Sequence, residues 1–233
     1  MLPTIVRQPF SDSEYLFEPK LDGWRALCFV QDGQIRFLSR KGHSLTERFP
    51  ERRRISVRAK SAIIDGEVVA LDQDGMPCFE GLHGRSSEVA CVVVFYAFDL
   101  LHVDGYDLTA CPLITRKALL KRILPKGKAD RIRYTEHFIG SGERLFGVIE
   151  GMQLEGMVAK RKDIVYSRGR SRFWQKIGPP DELRCKSGLK AGVDFLALRT
   201  PMSDCGSLLP LKGEIICSRT VALQPLRVRD LPR

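Results

Sequence analysis

A lysine held beside a glycine turn can act as a nucleophile, and the stretch Glu18-Pro19-Lys20-Leu21-Asp22-Gly23-Trp24-Arg25 places one just ahead of the first β-rich run. Lysine attacks only as the neutral amine, so that role needs desolvation or a neighbouring cation, and Arg25 is the cation at hand. Read alone, such a lysine is far more often an exposed residue in a turn. Arg40, in Leu38-Ser39-Arg40-Lys41-Gly42, can grip an oxyanion bidentately. Asp65-Gly66-Glu67 interrupts an apolar run at 62–71, where a carboxylate is costly without a hydrogen-bond or metal partner. Phe98 lies in Phe95-Tyr96-Ala97-Phe98-Asp99-Leu100-Leu101, an aromatic stripe of the kind that is usually core, although a ring there can also stack on a base. Glu155 opens Glu155-Gly156-Met157-Val158-Ala159-Lys160 and can offer carboxylate oxygen to a hard cation. From Tyr166 to Lys176, a basic loop with Arg168, Arg170 and Arg172 enters an aromatic strand, Phe173-Trp174-Gln175-Lys176; such cations are usually just solvated but also suit phosphate binding.

These side chains need a scaffold, and the pattern of apolar residues supplies one. Residues 25–31 and 34–39 flank Asp32-Gly33, a strong hairpin signal. A strand is expected over 62–71, and one buried on both faces over 91–99. Residues 115–124 predict a helix with Ala118, Leu119 and Ile123 on its apolar face, stopped by Pro125. Ser141 is placed to cap a second helix whose Leu145, Ile149 and Met152 share a face. Strands return at 156–161 and 173–177. Hairpins mixed with single helices predict an α+β fold of antiparallel sheets with flanking helices, not a parallel βαβ array. Pro179-Pro180 reads as a linker, and 179–233 is a short tail whose fold is left unassigned.

Taken in order, these segments resemble the nucleotidyltransferase superfamily that forms covalent lysyl-nucleotides, and most of all the adenylation domain of ATP-dependent DNA ligases of bacterial end-joining type. The resemblance covers about residues 14–178 and implies the nucleotidyltransferase fold, with 1–178 as the adenylation domain. Lys20, in a complete K-x-D-G-x-R motif, is implied to attack the α-phosphate of ATP, with Arg25 in the nucleotide site and Glu18 near the adenine. Arg40 is implied to reach the ribose or the phosphate of a nick, Glu67 to bind ribose hydroxyls near a metal, and Phe98 to stack on the base. Glu155 and Lys160 match the motif E-G-x-x-x-K, which implies Glu155 as a ligand of Mg2+ and Lys160 in the nucleotide site. Arg170 and Lys176 take phosphate-contacting positions. The family pattern has a second lysine two residues after the first, where this chain has Gly178.

Ligases of this class continue into an oligonucleotide-binding-fold barrel of roughly a hundred residues. Residues 179–233 resemble neither that barrel nor its terminal basic motif. The implied partners are nicked double-stranded DNA and, in repair, end-binding or polymerase proteins. Two readings stay open: an adenylation module that forms lysyl-AMP and supports nick sealing, or a truncated nucleotide- and DNA-binding module without full ligation.

Composition agrees with a folded partner of polyanions. Lys and Arg number 38 against 28 Asp and Glu, a formal charge of +10, while 43% hydrophobic residues support an ordinary core. The apolar run at 91–98 falls far short of the roughly 18 residues that span a bilayer. With no signal pattern at the start, the expectation is a cytoplasmic, nucleoid-associated monomer with no membrane contact. Seven cysteines without a C-x-x-C pair predict reduced thiols, with neither a disulfide framework nor a zinc knuckle.

Overall fold

Asp32 (φ 48°) and Gly33 (φ 79°) both adopt the left-handed conformation that a two-residue hairpin turn demands, so the strongest local signal folds as it reads. The computed structural model describes residues 1–48, 55–82, 91–127, 130–152 and 154–178. The expected linker at Pro179-Pro180 and the tail 179–233 lie outside the described residues. In chain order the elements are β1 (Leu2–Ile5), β2 (Tyr15–Pro19), β3 (Trp24–Gln31), β4 (Gln34–Ser39), β5 (Ser61–Leu71), α1 (Phe79–Leu82), β6 (Val92–Val103) and β7 (Tyr106–Asp107). They continue with α2 (Leu113–Ile123), β8 (Ile132–Tyr134), β9 (Phe138–Ile139), α3 (Gly142–Gly151), β10 (Met157–Arg161) and β11 (Arg170–Ile177).

The strands form two sheets. The smaller runs β1-β11-β10-β2-β9, and the larger runs β4-β3-β5-β6-β7 with β8 also paired to β6. Most pairings are antiparallel as expected, but β1 with β11 and β6 with β8 are parallel. The segment between β6 and β8 contains α2, the crossover length a parallel pairing requires.

Alternation along the strands gives each sheet one oily face. On the larger sheet, Ala26, Cys28 and Val30 of β3, Ile64, Val68 and Ala70 of β5, and Phe95 and Ala97 of β6 join Leu120 of α2 in the main core. On the smaller sheet, Phe17, Met157, Ala159 and Ile177 pack with Leu145, Phe146 and Ile149 of α3. Their sequence neighbours must then point the other way. Those neighbours include Arg25, Asp65, Glu67 and Phe98 on the larger sheet and Glu18, Lys160, Trp174 and Lys176 on the smaller. The two polar faces meet where Phe98 and Trp174 pack edge to face, ring centroids 6.0 Å apart, together with Met1.

Both helices depart from expectation in detail. Ala118 is exposed, and α2 instead buries Leu113, Arg116, Lys117 and Leu120, because ion pairs described below make two cations the better-partnered residues. Ser141 stands at the start of α3 but makes no side-chain cap; its hydroxyl donates to the Ile139 carbonyl, and the Glu143 N–H donates to Ser11 Oγ at 3.2 Å. Cys28, Cys78, Cys91 and Cys111 are free thiols, while Cys185, Cys205 and Cys217 lie outside the described residues. No described helix is long and apolar enough to cross a membrane.

Candidate active site

Lys20 follows the last residue of β2, and its backbone N–H donates to the Gly156 carbonyl at 2.7 Å, stitching the lysine loop to the entry of β10. Its ammonium is ion-paired with Glu155, both side chains about a quarter exposed at 25% and 27%. Two glycines permit this closeness. A Cβ at Gly23 would lie 2.1 Å from the Val68 carbonyl oxygen and 3.2 Å from Glu67 Cγ. Gly156 has φ +133°, and a Cβ there would lie 2.2 Å from the Ile177 carbonyl oxygen. Gly23→Ala is therefore expected to force the lysine loop off β5, costing about 1–3 kcal/mol as overpacking does; a thermal unfolding midpoint within 1 °C or so of the parent would contradict this.

Glu67 shares the polar face with Lys20 and Glu155. Burial raises its carboxyl to about 7, with Arg25 and Lys20 pulling it down and Asp65 and Glu155 pushing it up. A carboxyl whose folded pKa exceeds its unfolded value binds its proton more tightly when folded. Its contribution to stability is thus complete below the ordinary Glu value of 4.5 and is lost as pH climbs through about 7. Glu67→Gln is expected to match the parent's unfolding midpoint near pH 4.5 and to exceed it by about 5 °C at pH 8. Parallel midpoint curves across that interval would refute the assignment.

Arg25, the cation nearest Lys20 in sequence, is itself paired. Its guanidinium is taken bidentately by Asp65, Nε to Oδ1 and Nη2 to Oδ2 both at 2.6 Å, and Tyr166 donates to Asp65 Oδ2 at 3.2 Å. The cost of a carboxylate in the apolar β5 strand is thereby met, and the guanidinium comes to rest 4.6 Å from the Phe98 ring centroid.

On the smaller sheet, Glu18 is 2% exposed and accepts from two lysines at 2.5 Å, Lys117 on Oε1 and Lys160 on Oε2. Burial would raise the Glu18 carboxyl, but Lys117 and Lys160 hold it below its ordinary value. Burial lowers Lys160 to about 8, with Glu18 pulling upward. The Lys160 ammonium lies 4.1 Å from the Phe98 centroid and 4.2 Å from that of Trp174. Phe98, 7% exposed, is thus ringed by cations.

The structure gathers Lys20, Glu155 and Glu67 into one group and Glu18, Lys160, Arg25 and Phe98 into another, between the polar faces of the two sheets. Lys176 sits on the same strand face as Trp174, paired in register with Val158. Arg40 lies outside this group, exposed in the turn after β4, one residue past the Ser39–Ala26 pair. Arg170 is also exposed, at the far end of β11 from Lys176. Sequence reasoning missed Lys117, Arg116 and Asp99. Arg116 and Asp99 are wholly buried and joined bidentately at 2.7 and 2.9 Å, and no local signal separates Arg116-Lys117 from an ordinary solvated pair.

Among the described residues no group of three or more His, Cys, Asp or Glu side chains converges to hold a metal. Glu67 and Glu155 do offer two hard oxygen donors beside Lys20, the kind of partial set that suits Mg2+, which typically completes its shell with water and substrate phosphates.

A family model described as ATP dependent DNA ligase domain matches residues 4–177. The multifunctional non-homologous end joining protein LigD of Pseudomonas aeruginosa is 33% identical over 179 residues, which cover 76% of this chain and 21% of that protein. The SPbeta prophage-derived DNA ligase-like protein LigB of Bacillus subtilis is 32% identical over 181 residues, covering 76% of this chain and 66% of that one. Among solved structures, mycobacterial DNA ligase D complexed with ATP and MES is similar with a TM-score of 0.63 and 30% identity, over 76% of this chain and 58% of that one. The chain therefore spans about a fifth of the length of the Pseudomonas protein and somewhat over half of the mycobacterial structure.

Proposed function

The chain belongs to the ATP-dependent DNA ligase domain family, and from that premise we propose that it forms a covalent lysyl-AMP on Lys20 and supports the sealing of nicked double-stranded DNA in end-joining repair. The observation that carries this reading is the convergence of the Lys20 amine with Glu155 and Glu67, on the same side of the two sheets as Glu18, Lys160, Arg25 and Phe98. Lys20 Nζ, released from Glu155 and deprotonated, forms a bond to the α-phosphorus of ATP as the bond from that phosphorus to the pyrophosphate oxygen breaks. Glu67 and Glu155 would hold Mg2+, which when bound supplies charge neutralisation at the phosphates. Phe98 offers a ring to the base, and Glu18 an acceptor. The exposed Arg40 and Arg170, with Lys176, supply cations for nucleotide and DNA phosphates, in keeping with the net charge of +10. The adenylyl group then passes to a DNA 5′-phosphate and is displaced by the 3′-hydroxyl. A monomer acting in the bacterial cytoplasm beside the nucleoid, recruited by end-binding or polymerase repair proteins, fits this reading.

The test is direct. Protein incubated with ATP labelled at the α-phosphate and with Mg2+ is expected to retain label through denaturing electrophoresis and to lose it to sealed product when a nicked duplex is added. Absence of retained label overturns the reading.

A second reading, binding without turnover, is favoured by one observation. Gly178 stands where the family pattern has a phosphate-contacting lysine, and a Cβ there would meet the Glu155 carbonyl oxygen at an ordinary 3.4 Å. The first carbon of a side chain therefore has room there. Gly178→Lys is expected to speed lysyl-AMP formation about tenfold, the worth of one added charged contact. A single-turnover labelling rate equal to the parent's would show that the missing lysine is not what limits the chain.

A further inference from the structure

Lys117 spends every proton of its ammonium on the protein. Besides Glu18 Oε1 at 2.5 Å, it donates to the Phe98 carbonyl at 3.4 Å and to the Thr135 carbonyl at 3.2 Å. Three donors and three acceptors leave it nothing for a ligand, so whatever it does for chemistry it does through Glu18. It also acts across the fold, since Glu18 belongs to the smaller sheet while α2 packs on the larger.

Two residues that contact the lysines holding this carboxylate carry buried polar atoms. Thr135 Oγ1 and Trp174 Nε1 have no hydrogen-bond partner, in residues only 5% and 1% exposed. The Thr135 backbone already meets Lys117, and the Trp174 ring lies 4.2 Å from the Lys160 ammonium. Buried polar atoms without partners cost free energy, and a ligand's polar edge is one thing that can satisfy them.

We infer that Lys117 is a positioning residue for base selection: by fixing Glu18 as an acceptor beside Phe98, it makes this part of the site favour a purine bearing an exocyclic amine over one bearing a carbonyl at the same ring position. The inference rests on the nucleotide-transfer reading above and deepens it. An ionised carboxylate can only accept, so an amine pairs with it and a carbonyl oxygen leaves both groups unpaired. Sites built on such pairing reject the mismatched analogue strongly. A protonated Glu18 could donate to the carbonyl instead, and burial favours that form. Lys117 and Lys160 oppose it, and Lys117 alone ties the carboxylate to the opposite sheet.

The experiment compares kcat/KM for covalent labelling with ATP and with ITP, its carbonyl analogue, in the parent, Lys117→Met and Lys117→Arg. The parent is expected to favour ATP by about a hundredfold, Lys117→Met to lower that ratio about tenfold, and Lys117→Arg to hold it within about threefold of the parent. A purely structural role lowers both rates together, and an unchanged ratio in Lys117→Met overturns the inference, as does a parent ratio near one. If the methionine variant does not fold, Lys117→Gln carries the same comparison. Failure of the parent to label with either nucleotide defeats the transfer reading instead; the ratio is then read from unfolding-midpoint shifts with ATP and ITP, which test base selection without turnover.

Discussion

Lys20→Arg is expected to lose covalent labelling by ATP entirely, a drop of more than about a thousandfold, while keeping the parent's unfolding midpoint within about 2 °C. Arginine preserves the cation that Glu155 pairs with, so the fold has little to lose. A guanidinium is not deprotonated in proteins and offers no nucleophilic lone pair. The choice of lysine needs the comparison with Lys160. By acidity alone Lys160, lowered to about 8 by burial, is the more obvious nucleophile. Its surroundings exclude it: the ammonium is bound to Glu18 at 2.5 Å, pressed against Phe98 and Trp174, and belongs to a residue 2% exposed. Lys20 is reachable and lies beside both carboxylates suited to a metal. Lys160→Met is accordingly expected to weaken labelling without moving it, and peptide mass spectrometry of the parent should find AMP on the peptide containing Lys20. Adenylate on Lys160, or full labelling of Lys20→Arg, would sink the assignment.

The largest effect on stability is expected at Arg116, a residue with no part in the transfer. Its guanidinium is wholly buried, bonded to Asp99 at 2.7 and 2.9 Å and to the carbonyls of Cys111 and Ile164 at 2.5 and 3.1 Å. It therefore ties α2, β6 and the segment before β11 into one unit, directly behind Phe98. Arg116→Met would leave Asp99 buried and uncompensated, which costs about 3–5 kcal/mol. For a chain of this length the unfolding midpoint should fall by about 6–20 °C. Adding Asp99→Leu should recover a good part of that loss, because removing both partners of a buried pair is far cheaper than removing one. A single-variant drop of less than about 3 °C would mean that water reaches the pair.

Much of the frame was legible from the chain because local chemistry decides it. The Asp32-Gly33 hairpin needs two residues that tolerate positive φ, and both are there. The strand at 62–71 and the carboxylates inside it were visible because charge in an apolar run is an anomaly that demands a partner. The partner itself was not visible: Arg25 lies 40 residues from Asp65, and only the antiparallel register of β3 on β5 brings them together. The helix over 115–124 was found, and Leu119 and Ile123 do pack on the main core, but apolar periodicity could not foresee that Ala118 is exposed while Arg116 and Lys117 bury with counter-ions contributed by β6 and β2.

The order and spacing of Lys20, Glu67, Phe98, Glu155 and Lys176 determined by themselves which chemistry to look for, because each residue type is needed for what it can donate, accept or attack with. Which of them touch, and through what charge, was decided only when two sheets closed face to face. That closure turned Arg25 from a neighbour of Lys20 into the partner of Asp65, and it gave Glu18 a second lysine, Lys117, 99 residues away. Pairing energies in a buried cleft depend on distance and desolvation, and neither quantity exists until the chain has folded.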